Sequence, residues 1–203
     1  MLSRPPSTHT SIPPTRRGFG LTLLTHVRNP SKLARALYLS PTSAPHTMLS
    51  GSAAEAIGGS LGIELVDESY FFTEQRWREH RRGLGLPEDP LPYPSKPRHD
   101  GEDNTQVPLD QLPTGTVGAV ALDVRGCIAA VTSTGGRTNK LVGRVGDTPI
   151  MGAGFWAEEW TVKGWTRRLW RRVRGKSQTV AMGVSGTGDG DVSAASALLL
   201  ITR

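Results

Sequence analysis

The sequence predicts an α+β fold in which one sheet is covered on both of its faces. Two short apolar runs, Val117–Leu122 and Cys127–Val131, have the length and composition of strands, and Arg125-Gly126 between them favours a hairpin turn. Each run places apolar side chains on both of its faces, which is typical of a strand packed between two layers. Helical signals on the N-terminal side of these runs supply the helices of the predicted fold.

The region before these strands contains the clearest helix start. Asn29 is a favourable N-cap and Pro30 suits the first helical position, so a helix is predicted to begin there. Its inner face would carry Leu33, Ala36 and Leu37. Three further elements are predicted in chain order: a short strand at 48–50, a helix from Ala53 to Leu61 that glycines weaken, and a helix from Ser69 to Arg82.

Other segments lack such periodicity. Residues 1–22 are predicted to be a disordered tail. The first acidic residue is Glu55, and this basic, Ser-, Thr- and Pro-rich start is also typical of a transit peptide, so a mitochondrial location stands beside a cytoplasmic one. Prolines at 5, 6, 13 and 14 oppose an amphipathic targeting helix. Residues 83–114 are Pro-rich and are predicted to be a solvated linker.

Composition narrows the class of protein. A length of 203 residues suits one domain or two small ones, and 36% hydrophobic residues can form a core of modest size. The net charge of +6 permits an acidic partner without requiring one. The single cysteine, Cys127, excludes an internal disulfide and argues against a Cys-rich metal site. No apolar run reaches the roughly 18 residues of a membrane span.

The junction Gly115-Thr116, where the linker meets the first strand, is the strongest candidate for chemistry. A Thr with a free α-amine can serve as both nucleophile and base. Because Thr116 is internal, the bond before it must first break, and the new amine then has a pKa of about 7.7–8.0. Gly115 suits the scissile position because it crowds nothing. An ordinary Thr at the start of a strand is the alternative.

Further candidates follow along the chain. Thr134 ends the second strand and would come near Thr116 across the hairpin. Arg144 can grip a carboxylate and Asp147 an ammonium, so the pair suits a free amino-acid end. The turn Ser185–Gly188 offers amides and hydroxyls to an oxyanion. Each candidate also has a purely structural alternative. Thr134 could simply end a strand, Arg144 and Asp147 could form a solvated ion pair, and Ser185–Gly188 could be a turn before a predicted helix at 192–200. Phosphate-loop and calcium-loop spacings are absent, so no cofactor or metal is predicted.

A basic segment at 161–178 precedes a predicted strand at 179–184. Its arginines alternate with Trp165 and Trp170, a combination that can bind nucleic acid. The alternative is an amphipathic surface helix that docks its tryptophans, Leu169 and Val173 inward.

Three stretches of the chain resemble the asparaginase type-2 / isoaspartyl peptidase family of N-terminal-nucleophile hydrolases, in its fungal-like branch. They are VRNPSKLARAL, ELVDESYFFTEQRW, and the block from Thr116 to Gly154 with TVGAVALD, TSTGG and GRVGDTP, which continues into GFWAEEW. The resemblance implies a four-layer αββα sandwich and a precursor that cleaves itself before Thr116. The freed Thr would attack L-asparagine or a β-aspartyl (isoaspartyl) peptide and form an acyl-enzyme.

The resemblance also implies a role for each candidate position. Thr116 would be nucleophile and base, and Thr134 would orient it. Arg144 would bind the substrate α-carboxylate and Asp147 the α-ammonium. Ser185, where the family usually has Thr, would contact the oxyanion, and Gly186 would bind substrate through its backbone. Residues 23–82 would then belong to the α-subunit region, 83–115 to the linker that ends at the cleavage site, and 116–203 to the β-subunit region. A small-molecule substrate and self-association of the processed subunits are implied; nucleic acid and membrane are not.

The chain also departs from the family pattern. Residues 1–22 show no counterpart of the family's first strand and Asn-Ala-Gly-rich segment, and the chain ends soon after SGTG. Truncation at both ends is therefore expected. The alternative function is an inactive homologue that binds nucleic acid or acidic partners through residues 163–176.

Overall fold

Three α-helices and three two-stranded sheets make up the regular structure of the described chain, which comprises residues 1–6, 8–94, 115–123, 127–161 and 179–185 of a computed structural model. The helices are α1 (Pro30–Leu39), α2 (Gly51–Ser60) and α3 (Glu74–Gly83), with a 3-10 helix at Glu68–Phe71. The strands are β1 (Gly20–Thr22), β2 (Met48–Ser50), β3 (Val117–Leu122), β4 (Ile128–Ser133), β5 (Phe155–Thr161) and β6 (Thr179–Ser185). Helices and strands are thus mixed, as predicted.

Helix α1 begins where its capping signal predicts. The Asn29 side chain accepts a hydrogen bond from the Lys32 amide at 3.1 Å, and Pro30 occupies the first helical position. Leu33 and Leu37 are fully buried, which confirms the predicted inner face at those positions, whereas Ala36 is only half-buried. Helix α1 therefore supplies the centre of the first core.

The first core joins α1 to the parallel pair β1–β2 and to α2. In that pair Leu21 lies opposite Leu49. Strand β2 matches the predicted strand at 48–50, and α2 begins two residues before its predicted start. The buried members of this core are Ile12, Phe19, Val27, Leu33, Leu37, Tyr38 and Ala44.

The predicted helix from Ser69 to Arg82 is wrong as one element. The chain forms the 3-10 helix, opens at Phe72 and Thr73 into extended backbone, and starts α3 at Glu74. Thr73 has φ −132° and ψ 136°, which are the angles of an N-cap residue and not of a helix interior. The signal for a new start lay in Thr73-Glu74, because Ser or Thr before an acidic first turn marks a helix N-terminus.

The second core lies where the hairpin β3–β4 meets the hairpin β5–β6. Both pairs are antiparallel, with Val117 opposite Ser133 in the first and Phe155 opposite Ser185 in the second. Ile128 and Ala130 of β4 are buried against Ala157 of β5. The expectation of apolar burial on both faces is wrong for β3, whose Val117 is 68% exposed. Among the described residues, β4 pairs with both β3 and Leu2, whereas β3 pairs with β4 alone. Strand β3 is also rich in Gly and Ala, so it has little side-chain area to bury.

The expectation of a disordered tail over residues 1–22 is wrong. Leu2 pairs with Ala129, and the Ser3 amide donates to the Ile128 carbonyl at 2.8 Å, so the chain start extends the sheet beyond β4. Ile12 and Phe19 are buried in the first core, and β1 begins within this segment. Tertiary contacts thus order a stretch that has no periodic pattern of its own.

Several predictions fall outside the described residues. These are the hairpin turn at Arg125-Gly126, most of the linker (95–114), the basic segment after Thr161, and the helix at 192–200. In the described part of the predicted linker, residues 83–94, Gly83 ends α3 and the remaining residues form no helix or strand. No helix within the described ranges has both the length and the hydrophobicity needed to cross a bilayer.

Candidate functional site

A cavity of about 1270 Å³ lies between the β1–α1 region and the hairpin β3–β4. Four of the residues singled out in the sequence line it: Thr116, Thr134, Arg144 and Asp147. Gly115 lines it too, so the proposed scissile bond faces the same space.

Strand register brings Thr116 and Thr134 to one end of the hairpin. Val117 lies opposite Ser133, and the two threonines are the next residues outward on each strand. Thr116 is half-buried and Thr134 is exposed. Gly115 is exposed, and a Cβ placed there would meet no atom of the other described residues within 4 Å. The peptide bond before Thr116 is therefore accessible at the cavity wall.

A third threonine, which the sequence analysis did not single out, lies beside the candidate nucleophile. The Thr148 hydroxyl oxygen is 3.4 Å from that of Thr116, somewhat longer than the usual O–H···O separation. Thr148 is only 8% exposed, and its carbonyl accepts a hydrogen bond from the Thr132 hydroxyl at 3.1 Å. The Thr134 hydroxyl oxygen accepts from the Gly136 amide at 3.0 Å. Its predicted role in orienting Thr116 remains a prediction.

The turn that carries Asp147 and Thr148 is held by a close backbone approach. The Ile150 amide donates to the Asp147 carbonyl at 2.8 Å. Gly154 is buried against this turn, and a Cβ there would lie 2.5 Å from the Thr148 Cα and 2.7 Å from the Asp147 carbonyl carbon. Only glycine allows such an approach. The Gly-Ala-Gly sequence before β5 thus fixes the position of two cavity residues.

Arg144 and Asp147 present opposite charges to the cavity from one short segment. Arg144 is exposed and its amide donates to the Leu141 carbonyl at 3.1 Å, which forms a turn. Asp147 is half-buried. A guanidinium and a carboxylate three residues apart can hold the carboxylate and the ammonium of one zwitterionic ligand.

Of the remaining predicted site residues, Ser185 is the last residue of β6. Ser185 pairs with Phe155, and Phe155 lines the cavity, so the Ser185 backbone ends near this space. Gly186 lies outside the described residues. Among the residues that the structure describes, no three His, Cys, Asp or Glu side chains gather into a group that could hold a metal ion.

Comparison with known proteins extends over most of the described chain. A family model described as asparaginase matches residues 15–163. The isoaspartyl peptidase of Escherichia coli K12 is 40% identical over 140 residues, which is 68% of this chain and 39% of that protein. The isoaspartyl peptidase/L-asparaginase of Mus musculus is 42% identical over 132 residues, 65% of this chain and 35% of that protein. A putative isoaspartyl peptidase/L-asparaginase of Dictyostelium discoideum is 40% identical over 156 residues, 66% and 42% of the respective lengths. This chain therefore spans between 35% and 42% of the length of each of these relatives.

Proposed function

This chain belongs to the asparaginase family, and we propose that it is an amidohydrolase whose nucleophile, Thr116, is released by cleavage of the Gly115–Thr116 peptide bond. The observation that carries the proposal is the position of Thr116. It directly precedes β3, on the wall of a cavity that Arg144 and Asp147 also line. The relatives named for isoaspartyl peptidase and L-asparaginase activities support the choice of reaction.

Cleavage consumes one water molecule and leaves a carboxylate on Gly115 and an α-amine on Thr116. The neutral amine accepts the proton of the Thr116 hydroxyl, and the oxygen attacks the side-chain carbonyl carbon of the substrate. The proton passes to the departing nitrogen as the C–N bond breaks, so ammonia or a peptide amine leaves. A second water molecule hydrolyses the resulting ester, releases aspartate and restores the hydroxyl.

Substrate selection follows from the charges on the cavity wall. L-Asparagine and β-aspartyl peptides share a free α-carboxylate and a free α-ammonium next to the bond that breaks. Arg144 would bind the first group and Asp147 the second. The cavity of about 1270 Å³ has room for a peptide as well as for a single amino acid.

The finer architecture belongs to the same proposal. The hairpins β3–β4 and β5–β6 pack against each other at the second core, as two sheets of an αββα sandwich would. Ser185, which ends β6, would contact the oxyanion, and Gly186, the next residue in the sequence, would bind the substrate through its backbone. The processed fragments 1–115 and 116–203 would remain associated.

The intact mass of the purified, incubated chain tests the proposal. Wild-type protein and the exposed-site control Thr42→Ala should give two masses, for residues 1–115 and 116–203, and Thr116→Ala should give one. Cleaved protein should release ammonia from L-asparagine or an amine from a β-aspartyl peptide. A folded wild-type chain that stays at one mass would overturn the proposal and would favour the alternative of an inactive binding protein.

A further inference from the structure

The loop between Thr134 and Arg144 has little hydrophobic anchoring of its own. Its side chains Leu141 and Val142 are 82% and fully exposed. The loop backbone takes a left-handed conformation at Gly136 (φ 73°) and Gly143 (φ 85°). Since burial of these apolar side chains contributes almost nothing, polar contacts must hold the loop in place.

Asn139 supplies such contacts by binding α3 at two points. Its side-chain nitrogen donates to the His80 carbonyl at 3.1 Å, and its side-chain oxygen accepts from Nδ1 of the His80 ring. We call this pair of contacts the α3 clamp. An amide that uses both its donor and its acceptor on one residue is fixed in orientation as well as in position. Gly83 leaves the room for it, because a Cβ at Gly83 would overlap the Asn139 side chain.

The backbone at Asn139 also fits this role. Asn139 has φ 55°, a left-handed conformation that Asn adopts more readily than other non-glycine residues. Beside it, the Thr138 hydroxyl accepts from Arg76 Nη1 of α3 at 3.4 Å. The tip of the loop is therefore shaped to present Asn139 to the helix.

The contacts continue from the clamp to the cavity on both sides. Lys140 Nζ donates to the Gly135 carbonyl at 2.7 Å, next to Thr134. On the other side, the Arg144 amide donates to the Leu141 carbonyl at 3.1 Å. A shift of the loop tip would therefore move the backbone that carries Arg144.

The clamp also spans the proposed cleavage point. Helix α3 precedes the Gly115–Thr116 bond and Asn139 follows it, so after cleavage the two halves of the clamp belong to different fragments. We propose that Asn139 is a positioning residue that, through its contacts with His80, holds Arg144 ready for the substrate α-carboxylate and ties the two fragments together. The link to substrate rests on the proposed function.

The variant Asn139→Gly tests this inference without disturbing the backbone. Glycine accepts a positive φ at no cost, so the variant removes the side-chain contacts and leaves the loop conformation allowed. His80→Ala removes the ring contact and keeps the carbonyl acceptor. Val142→Ser is the matched control, because Val142 lies in the same loop and is fully exposed.

Binding of L-aspartate, measured by calorimetry, reports on Arg144 without requiring turnover. Loss of the two hydrogen bonds in Asn139→Gly should weaken L-aspartate binding about 5- to 30-fold. His80→Ala should have a smaller effect and Val142→Ser none. Binding of L-isoasparagine, whose α-carboxylate is replaced by an amide, should change little in any variant. In turnover of L-asparagine, Asn139→Gly should raise KM by a similar factor with kcat nearly unchanged.

The association of the fragments gives a second readout. The cleaved Asn139→Gly protein should dissociate at a higher concentration than cleaved wild type in sedimentation experiments. Equal loss of affinity for L-aspartate and L-isoasparagine, or unchanged L-aspartate affinity in a folded Asn139→Gly protein, would overturn the inference. An uncleaved wild-type chain would instead overturn the proposed function, and L-aspartate binding would still decide the role of the clamp.

Discussion

At the residue scale, the hydroxyl groups around Thr116 form a short series. The Thr148 hydroxyl lies beside that of Thr116, the candidate nucleophile, and the Thr148 carbonyl accepts a hydrogen bond from the Thr132 hydroxyl. Because Thr148 is almost completely buried, water competes little for its hydroxyl. A hydroxyl held beside a nucleophile can orient it or accept its hydrogen bond, so Thr148 should affect the rate of the reaction as well as the fold.

We therefore expect Thr148→Val to lower kcat/KM about five- to tenfold, the rate equivalent of one ordinary hydrogen bond. Thr132→Val is the control. It removes the bond to the Thr148 carbonyl but keeps the Thr148 hydroxyl, so it should lower the free energy of unfolding by about 1 kcal/mol with a smaller effect on rate. Steady-state kinetics and urea unfolding separate the two. Equal kinetic effects of the two variants would contradict this role.

A second residue-scale prediction concerns Glu55, which is 5% exposed and accepts hydrogen bonds from the amides of Thr25 and His26, both at 2.7 Å. Burial raises the pKa of Glu55, but the two amides and the His26 ring lower it by more, so its net pKa lies below the ordinary value. A lowered folded pKa contributes stability above the unfolded pKa of about 4.3, and this is lost as the pH falls through the folded pKa.

Glu55→Gln should accordingly lower the free energy of unfolding at pH 7 by about 1–3 kcal/mol, as expected for lost charge-assisted bonds. Below about pH 4 the difference from wild type should shrink as the wild-type carboxylate protonates. Glu64→Gln breaks an exposed ion pair with Arg28, which solvent screens, and should therefore lower the free energy of unfolding less than Glu55→Gln does. Urea unfolding as a function of pH measures both, and a difference that grows in acid would contradict the assignment.

Most of the candidate site follows from the order of residue types in the sequence, but one contact does not. Thr116 and Thr134 end strands that a short hairpin joins, so their proximity is a local consequence of pairing. Thr148 lies 32 residues from Thr116 and reaches it because Gly154 packs under its turn. The only sequence signal was its place beside Asp147. Such a contact depends on tertiary packing, which has no local pattern.

At the element scale, α2 places two adjacent glycines in different surroundings. A Cβ at Gly58 would lie 2.5 Å from Leu33 Cδ1 of α1, and Gly58 is buried. A Cβ at Gly59 would meet only Leu65 Cδ1, at 3.6 Å, which is ordinary contact. Gly58 is therefore needed for helix packing, whereas Gly59 only weakens the helix.

Gly59→Ala should raise the free energy of unfolding by about 0.5–1 kcal/mol, since alanine is the better helix former. Gly58→Ala carries the same gain in propensity but overlaps the fully buried Leu33 side chain, which must shift within a packed core, so the substitution should lower the free energy of unfolding by about 1–3 kcal/mol. Thermal or urea unfolding measures this pair directly. Stabilisation by both substitutions would show that α1 and α2 do not pack as described.

Local sequence signals predicted elements well where a capping residue or a hydrophobic period was present. They failed where tertiary contacts determine the structure. Asn29 and Pro30 located the start of α1 because capping is a property of neighbouring residues. The run from Ser69 looked helical throughout, yet Thr73 starts a new helix. The exposure of β3 depends on which other parts of the chain pack against it, and the residues of β3 itself do not indicate this.

At the scale of the whole molecule, the N-terminal segment connects the two cores. Arg16 donates hydrogen bonds to the Leu37 carbonyl at 2.8 Å and the Tyr38 carbonyl at 3.0 Å, at the end of α1. Arg17 donates to the Leu2 carbonyl at 2.9 Å and to the Ala157 carbonyl of β5 at 3.2 Å. These adjacent side chains thus bind backbone of the first core and of the second, an arrangement that no helical or strand period in the sequence predicts.

Arg16 is the more demanding of the two positions. It is 5% exposed, and it also donates to three carbonyls after α1, those of Ala44, Pro45 and His46. These five hydrogen bonds use all five N–H donors of the guanidinium group. A lysine ammonium has three donors and cannot reach all of the same carbonyls. Buried carbonyls left without a donor each cost about 1–3 kcal/mol.

Arg16→Lys should therefore lower the free energy of unfolding by about 2–4 kcal/mol. Arg17→Lys, at the adjacent position, loses at most two bonds in a less buried place, and should cost about 1 kcal/mol. Urea unfolding followed by circular dichroism measures both. Because the disordered-tail expectation predicts no effect from either substitution, a wild-type midpoint for Arg16→Lys would restore that expectation, and a large loss would show that this segment closes the first core.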